Sequence, residues 1–165
     1  MKERKSFLYD RIWNIFFLET QGACQISGSG WRSKDMTIIG IGSDLLEIKR
    51  LAAAGEKYGD RLYRRVFTEA EIAYCESRTH PHQHYAARFA AKEAVFKALG
   101  VGWAQGVSWM DVEVIRQDKG PPAVRISGAA KKLADDLGVS RTHLSLSHTK
   151  DLAMANVVLE GTPSK

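Results

Sequence analysis

The residues best able to do chemistry fall in one stretch, residues 82–99, where the pattern predicts the longest helix of the chain. Glu93 and Lys97 sit four positions apart there, so a helix places a carboxylate and an ammonium on one edge, a turn from each other. At 100° per residue, Tyr85, Phe89, Phe96 and Leu99 form one stripe. Ala86, Ala87, Ala90, Ala91, Ala94 and Ala98 form a broad face of small side chains that permits close packing. Lys92 projects into the aromatic stripe. Two arrangements satisfy this pattern. Glu93 and Lys97 can form an ordinary exposed ion pair, with Lys92 snorkelling to water. Alternatively, the edge is half-buried and holds a hydrated Mg²⁺ beside a phosphate.

A magnesium site takes one or two carboxylates, and Asp44 is the candidate for the second. It closes the predicted strand 38–42, whose Gly40 and Gly42 leave room for close backbone approach, as a phosphate requires. Asp44 also fits as the N-cap of a helix starting at Leu45, and the two roles are compatible. Gly40-Ile41-Gly42 lacks the third glycine and the βαβ setting of a dinucleotide fold.

Residues 49–65 carry Lys49, Arg50, Lys57, Arg61, Arg64 and Arg65 against two acids, Glu56 and Asp60. This is either a solvated helical face or a docking face for an acidic partner, which the arginine forks would grip bidentately. His80, His82 and His84 alternate around Pro81 and read as an exposed loop. His148 follows the strand segment Ser145-Leu146-Ser147 and is either a plain turn residue or a phosphate contact.

The elements that position these residues follow from periodicity and caps. Thr68 with Glu71 forms a capping box that opens a helix. Gly100 stops the long helix. Strands are predicted at 112–115 and 124–126, a helix at 129–137 ending at Gly138, and a hairpin of strands 143–147 and 152–159 linked by 148–151. Helices early and paired strands late give an α+β class with an antiparallel sheet packed against the long helix. The chain has 165 residues, 44% of them apolar, and a formal net charge of +5. One domain with a polyanionic partner is consistent with these values. Cys24 and Cys75 fit no metal spacing and point to a reduced, cytoplasmic setting. Residues 1–35 read as an appendage, with 36–161 the domain proper and 162–165 a tail. The apolar run 7–18 is too short and too charged to span a bilayer, so no membrane association is expected.

Three segments together resemble the holo-acyl-carrier-protein synthases, the small trimeric phosphopantetheinyl transferases. They are Gly40-Ile41-Gly42-Ser43-Asp44 with Glu47-Ile48-Lys49-Arg50, then Arg88-Phe89-Ala90-Ala91-Lys92-Glu93-Ala94 with Lys97-Ala98-Leu99-Gly100, and Ser145-Leu146-Ser147-His148-Thr149. The turn Lys119-Gly120-Pro121-Pro122 departs from that pattern, which usually has a basic residue before the last proline. The resemblance implies transfer of 4′-phosphopantetheine from coenzyme A to a serine of an acidic acyl carrier protein, in support of fatty acid biosynthesis. It implies Mg²⁺ held by Asp44 and Glu93, with Glu93 and Lys97 catalytic. It implies coenzyme A contacts from Arg88, Lys92, Lys97, Gly100 and His148, and carrier docking by Arg50, Arg61 and Arg65. A homotrimer with coenzyme A bound between neighbouring subunits is the implied assembly. Glu93 is the expected base for the serine hydroxyl.

Two other classes share some of these features. A metal-dependent phosphodiesterase or pyrophosphatase also needs two acids, a lysine and Mg²⁺, but a small-molecule hydrolase has no need of the basic face. A nucleic-acid-binding module would explain the charge, yet neither a stacking-aromatic motif nor a recognition-helix pattern appears, so no nucleic-acid partner is expected.

Overall fold

In a computed structural model, the residues described are 37–101, 106–116 and 120–163. The expected appendage at 1–35 lies outside them, as does Lys119 of the turn Lys119-Gly120-Pro121-Pro122. The order of elements is β1 (Thr37–Glu47), α1 (Ile48–Tyr58), α2 (Asp60–Val66), α3 (Glu69–Glu76), α4 (Pro81–Ala98), a 3-10 turn (Trp109–Asp111), β2 (Val112–Arg116), β3 (Pro122–Ile126), α5 (Gly128–Asp136), β4 (Val139–His148) and β5 (Leu152–Gly161). Strands β1, β5 and β4 form an antiparallel sheet with β5 central, and β2 pairs with β3 in a separate ribbon. The architecture is α+β, as the order of periodicities implies.

Alternation sets the face of each strand. On β5, Ala153, Ala155, Val157 and Leu159 are buried against α4, whereas Leu152 and Met154 face outward. On β1, Gly42 and Leu46 turn inward while Ile41, Ser43 and Leu45 are exposed. Strand β1 is longer than its sequence suggests. Leu45 pairs with Met154 and Glu47 with Leu152, so the chain stays extended until α1 begins at Ile48. Asp44 therefore lies within a strand, opposite Ala155, and is not a helix N-cap. Glu47 occupies that cap position without a side-chain capping bond.

The two glycines of β1 serve the helix. A Cβ on Gly42 would sit 1.8 Å from the Ala94 carbonyl oxygen, and one on Gly40 would sit 2.0 Å from that of Ala98. Strand backbone thus rests directly on helix backbone, which explains both the glycines and the alanine face of α4. The close approach inferred from sequence is real, but its occupant is α4 and not a phosphate. The predicted capping box is present: Thr68 Oγ1 accepts from the Glu71 N–H, and the Glu71 carboxylate accepts from the Thr68 N–H. Pro81 stands at the start of α4, where its missing N–H costs nothing, and Gly100 ends the helix with φ of +69°. His82 and His84 are consequently helical and only His80 precedes the helix, so the three do not form a loop.

Candidate active site

Contact between β1 and α4 brings Asp44, Glu93 and Lys97 together. The Lys97 ammonium donates to Asp44 Oδ1 at 2.9 Å and to the Ser43 carbonyl at 3.1 Å. The exposed Glu93–Lys97 pair that the spacing allows does not form, because the β1 carboxylate takes the lysine. Glu93 is 6% exposed, and its Oε1 is buried with no hydrogen-bond partner. Burial pushes the Glu93 carboxyl up to about 8, the nearby Asp44 charge adds to the rise, and Lys97 opposes it. Desolvation also raises the Asp44 carboxyl, against hydrogen bonding and attraction from Lys97. Two close carboxyl groups that both resist ionisation make a site short of positive charge.

Lys92 corrects a sequence expectation. It is fully buried and pairs with Glu71 at 2.8 Å. Its remaining donors reach the carbonyls of Trp109 at 3.0 Å and Val112 at 2.6 Å. All three N–H groups of the ammonium are thereby used inside the fold. Lys92 neither snorkels nor remains available to coenzyme A. It ties α4 to α3 and to the start of β2. Glu71, which sequence marked only as a capping residue, also accepts from the Val114 N–H at 2.9 Å. No local pattern signals this pair, since its partners lie on different elements.

Arg88 is 5% exposed, one helical turn beyond His84. Its guanidinium lies 3.9 Å from the centroid of the Tyr74 ring. The His84 and His148 rings meet edge to face at 6.0 Å, so the structure brings Arg88 and His148 into one neighbourhood across α4 and the end of β4. Gly100 lies just past the helix, and its N–H bonds the Lys97 carbonyl at 3.1 Å. Arg50 on α1 and Arg65 on α2 are half-buried, and Arg61 on α2 is exposed. Helices α1 and α2 pack on each other, which places these arginines on adjoining elements. Among the described residues, no three acidic, histidine or cysteine side chains converge on a common point.

Residues 40–157 match the family model of the 4′-phosphopantetheinyl transferase superfamily. The holo-[acyl-carrier-protein] synthase of Solibacter usitatus is 46% identical over 123 residues, spanning 74% of this chain and 98% of that protein. Its counterpart from Geobacter sulfurreducens is 47% identical over the same length, with the same coverage. Among solved structures, the Neisseria meningitidis holo-[acyl-carrier-protein] synthase has a TM-score of 0.69 at 33% identity, covering 74% of this chain and 98% of its own. The Helicobacter pylori enzyme, solved in complex with coenzyme A, has a TM-score of 0.64 at 28% identity, covering 72% and 98%. The matched span holds Asp44, Glu93, Lys97, Arg88 and His148, and the chain belongs to the 4′-phosphopantetheinyl transferase superfamily, among its holo-acyl-carrier-protein synthases.

Proposed function

We propose that this protein transfers 4′-phosphopantetheine from coenzyme A to a serine of apo-acyl carrier protein, releasing adenosine 3′,5′-bisphosphate and supplying fatty acid biosynthesis. The observation that carries this reading is the buried Glu93 carboxylate with an unpartnered Oε1, facing Asp44 beside Lys97.

The site suits Mg²⁺. Two hard carboxylate oxygens, one without any internal partner, are the protein's usual share of a magnesium shell, with phosphate oxygens and water supplying the rest. When bound, the ion neutralises charge on the pyrophosphate as the phosphoanhydride breaks. Asp44 and Glu93 are the residues that would hold it. Lys97 has three donors and spends two on Asp44 and Ser43, which leaves one for a phosphate oxygen of the departing nucleotide. The carrier serine oxygen forms the new bond to the phosphorus bearing pantetheine, and the P–O bond to the nucleotide breaks. The serine proton would pass to the Glu93 carboxylate in its ionised form, which Lys97 favours. Arg88 supplies further positive charge for coenzyme A, and His148 stands in the same neighbourhood as a hydrogen-bonding group.

Arg50, Arg61 and Arg65 form the docking face for the acidic carrier. Three copies assemble through the outer face of the sheet, where Ile41 is 60% and Leu45 62% exposed beside Leu152 and Met154. An uncovered apolar patch of this kind suits a subunit interface. A cytoplasmic setting belongs to the same reading and is supported by the free thiol of Cys75. No described helix is long and apolar enough to cross a membrane.

The test is to incubate the protein with coenzyme A, Mg²⁺ and apo-carrier protein and weigh the carrier by mass spectrometry. The carrier should gain phosphopantetheine. Asp44→Asn and Glu93→Gln should each slow transfer by orders of magnitude at limiting Mg²⁺. A chain starting at Met36 should transfer normally. No mass gain with the wild-type chain, or normal rates in both variants, would refute the reading.

A further inference from the structure

Helix α4 carries Glu93, so the rotation of α4 about its own axis decides where that carboxylate stands. One side of the helix lies on β1, where Gly42 and Gly40 bring strand backbone onto the carbonyls of Ala94 and Ala98. At 100° per residue, Lys92 lies about 160° from Ala94 and about 120° from Ala98, on the opposite side of the helix. Glu93 falls between these two sides, facing Asp44 of β1. The placement of the one carboxylate against the other therefore depends on how α4 is held at both.

The strand side fixes distance better than rotation. Glycine backbone resting on alanines brings the elements close, but it supplies few ridges to interlock. On the Lys92 side, Phe89 and Phe96 reach Trp109 with ring centroids 4.8 and 5.6 Å apart, and apolar contact of this kind is non-directional. Glu93 does not steer itself, since its Oε1 has no hydrogen-bond partner. Tyr85 bonds Glu76 two turns earlier, and Lys97 bonds within the site itself. At the turn that holds Glu93, the directional bonds come from its sequence neighbour. The Lys92 ammonium meets Glu71 at 2.8 Å and the carbonyls of Trp109 and Val112 at 3.0 and 2.6 Å. Glu71 is fixed in turn by the N–H groups of Thr68 and Val114. Stability is a weak reason for burying such a pair, because apolar residues of similar volume often serve as well or better. Three bonds of fixed direction do what apolar residues cannot, which is to hold one rotation of the helix.

We infer that Lys92 is a positioning residue for Glu93: its bonds to Glu71, Trp109 and Val112 set the rotation of α4 and so hold the Glu93 carboxylate opposite Asp44. The inference rests on the transfer reading above and deepens it. Lys92 touches neither substrate nor metal in this scheme and acts only through the helix. The leverage is large. A carboxylate carried about 6 Å from the helix axis moves about 1 Å when the helix turns by about 10°. A displacement of about 1 Å at a reacting centre can cost about 100-fold in rate. Loss of the lock therefore acts on the chemical step and on the convergence of two carboxylates on one cation, beyond any effect on stability.

The test separates positioning from stability with the double variant Glu71→Gln/Lys92→Met in the full-length chain. It removes both charges together, so no unpaired charge stays buried, and the glutamine oxygen can still accept from Val114. Its urea midpoint should recover most of what Lys92→Met alone loses. Its kcat should nevertheless fall by about 10–100-fold, with the KM for the carrier in place. Mn²⁺, titrated by electron paramagnetic resonance with coenzyme A present and carrier absent, should bind about 10–100-fold more weakly, the loss typical when support behind a ligand is removed. A double variant with its midpoint recovered and with wild-type kcat and Mn²⁺ affinity would overturn the inference and leave Lys92 a purely structural residue. If the double variant is no more stable than Lys92→Met or fails to fold, Lys92→Gln decides, measured where circular dichroism shows it folded. Lower kcat and weaker Mn²⁺ binding there support the lock, and wild-type values of both overturn it. Wild-type protein that transfers nothing would sink the transferase reading, and the Mn²⁺ titrations would then decide the positioning role alone.

Discussion

Replacing Glu93 by glutamine should make the metal-free protein more stable at alkaline pH, which is the opposite of the usual cost of changing a buried residue. The carboxyl titrates near 4.5 when unfolded and near 8 when buried beside Asp44. The folded state therefore holds the proton more tightly than the unfolded state. Stability from this group is fully present below about 4.5 and is lost as pH rises through 8. At about 1.4 kcal/mol per tenfold change in proton affinity, the full effect is on the order of 5 kcal/mol. Roughly 4 kcal/mol of it falls between about pH 5 and pH 8. Domains of this size are stable by about 5–15 kcal/mol, so the loss is large. His84 contributes with the opposite sign. Its depressed folded value gives stability that is lost as pH falls through 6.5, and it does so equally in both proteins. Urea denaturation of wild type and Glu93→Gln should be run across pH with chelator present and at fixed protomer concentration. Wild type should weaken from pH 5 to 8 by several kcal/mol relative to the variant, and Mg²⁺ should restore it by favouring the ionised carboxylate. Parallel pH curves for the two proteins would refute the reasoning, because Glu93 would then not be held protonated by its surroundings.

Gly42→Ala should destabilise the fold by about 1–3 kcal/mol or more, read from the urea midpoint, because its Cβ would meet the rigid Ala94 carbonyl; a neutral result would mean that β1 and α4 are farther apart than described. Lys92→Met should cost about 3 kcal/mol in the same assay, since it leaves Glu71 buried with its two backbone donors but no counter-charge. A cost below about 1 kcal/mol would show that the pair is unimportant. Arg50→Glu should raise the KM for the carrier in a salt-dependent way and leave that for coenzyme A nearly unchanged, and equal damage to both constants would move this face to the nucleotide.

Much of the local structure was legible in the sequence because its causes are local. The α4 helix is announced by its 3.6-residue apolar stripe and by Gly100 at its end, whereas Pro81, read with the histidines as loop, in fact opens it. The Thr68–Glu71 capping box spans three residues, and the β4–β5 hairpin follows from two alternating runs and a short polar link. The membership of Asp44, Glu93 and Lys97 in one site was also legible, though only through the joint pattern of separated motifs.

What the sequence could not decide was which neighbour each face would meet. A periodic stripe defines a direction about its own axis and carries no record of the element packed there. Lys97 therefore appeared paired with Glu93 four residues away, whereas the fold gives it Asp44, 53 residues distant in sequence. Asp44 looked like a helix cap because Leu45-Leu46-Glu47 can continue as helix; pairing with β5 keeps those residues extended. Gly40 and Gly42 suggested room for a ligand, and the tertiary structure fills that room with the backbone of α4. Lys92 depended most on tertiary structure. A buried ammonium has to find its acceptors wherever they lie, and it meets them only after the chain has folded. Sequence thus fixed the chemical types and the local elements, and long-range packing decided which charges stand together.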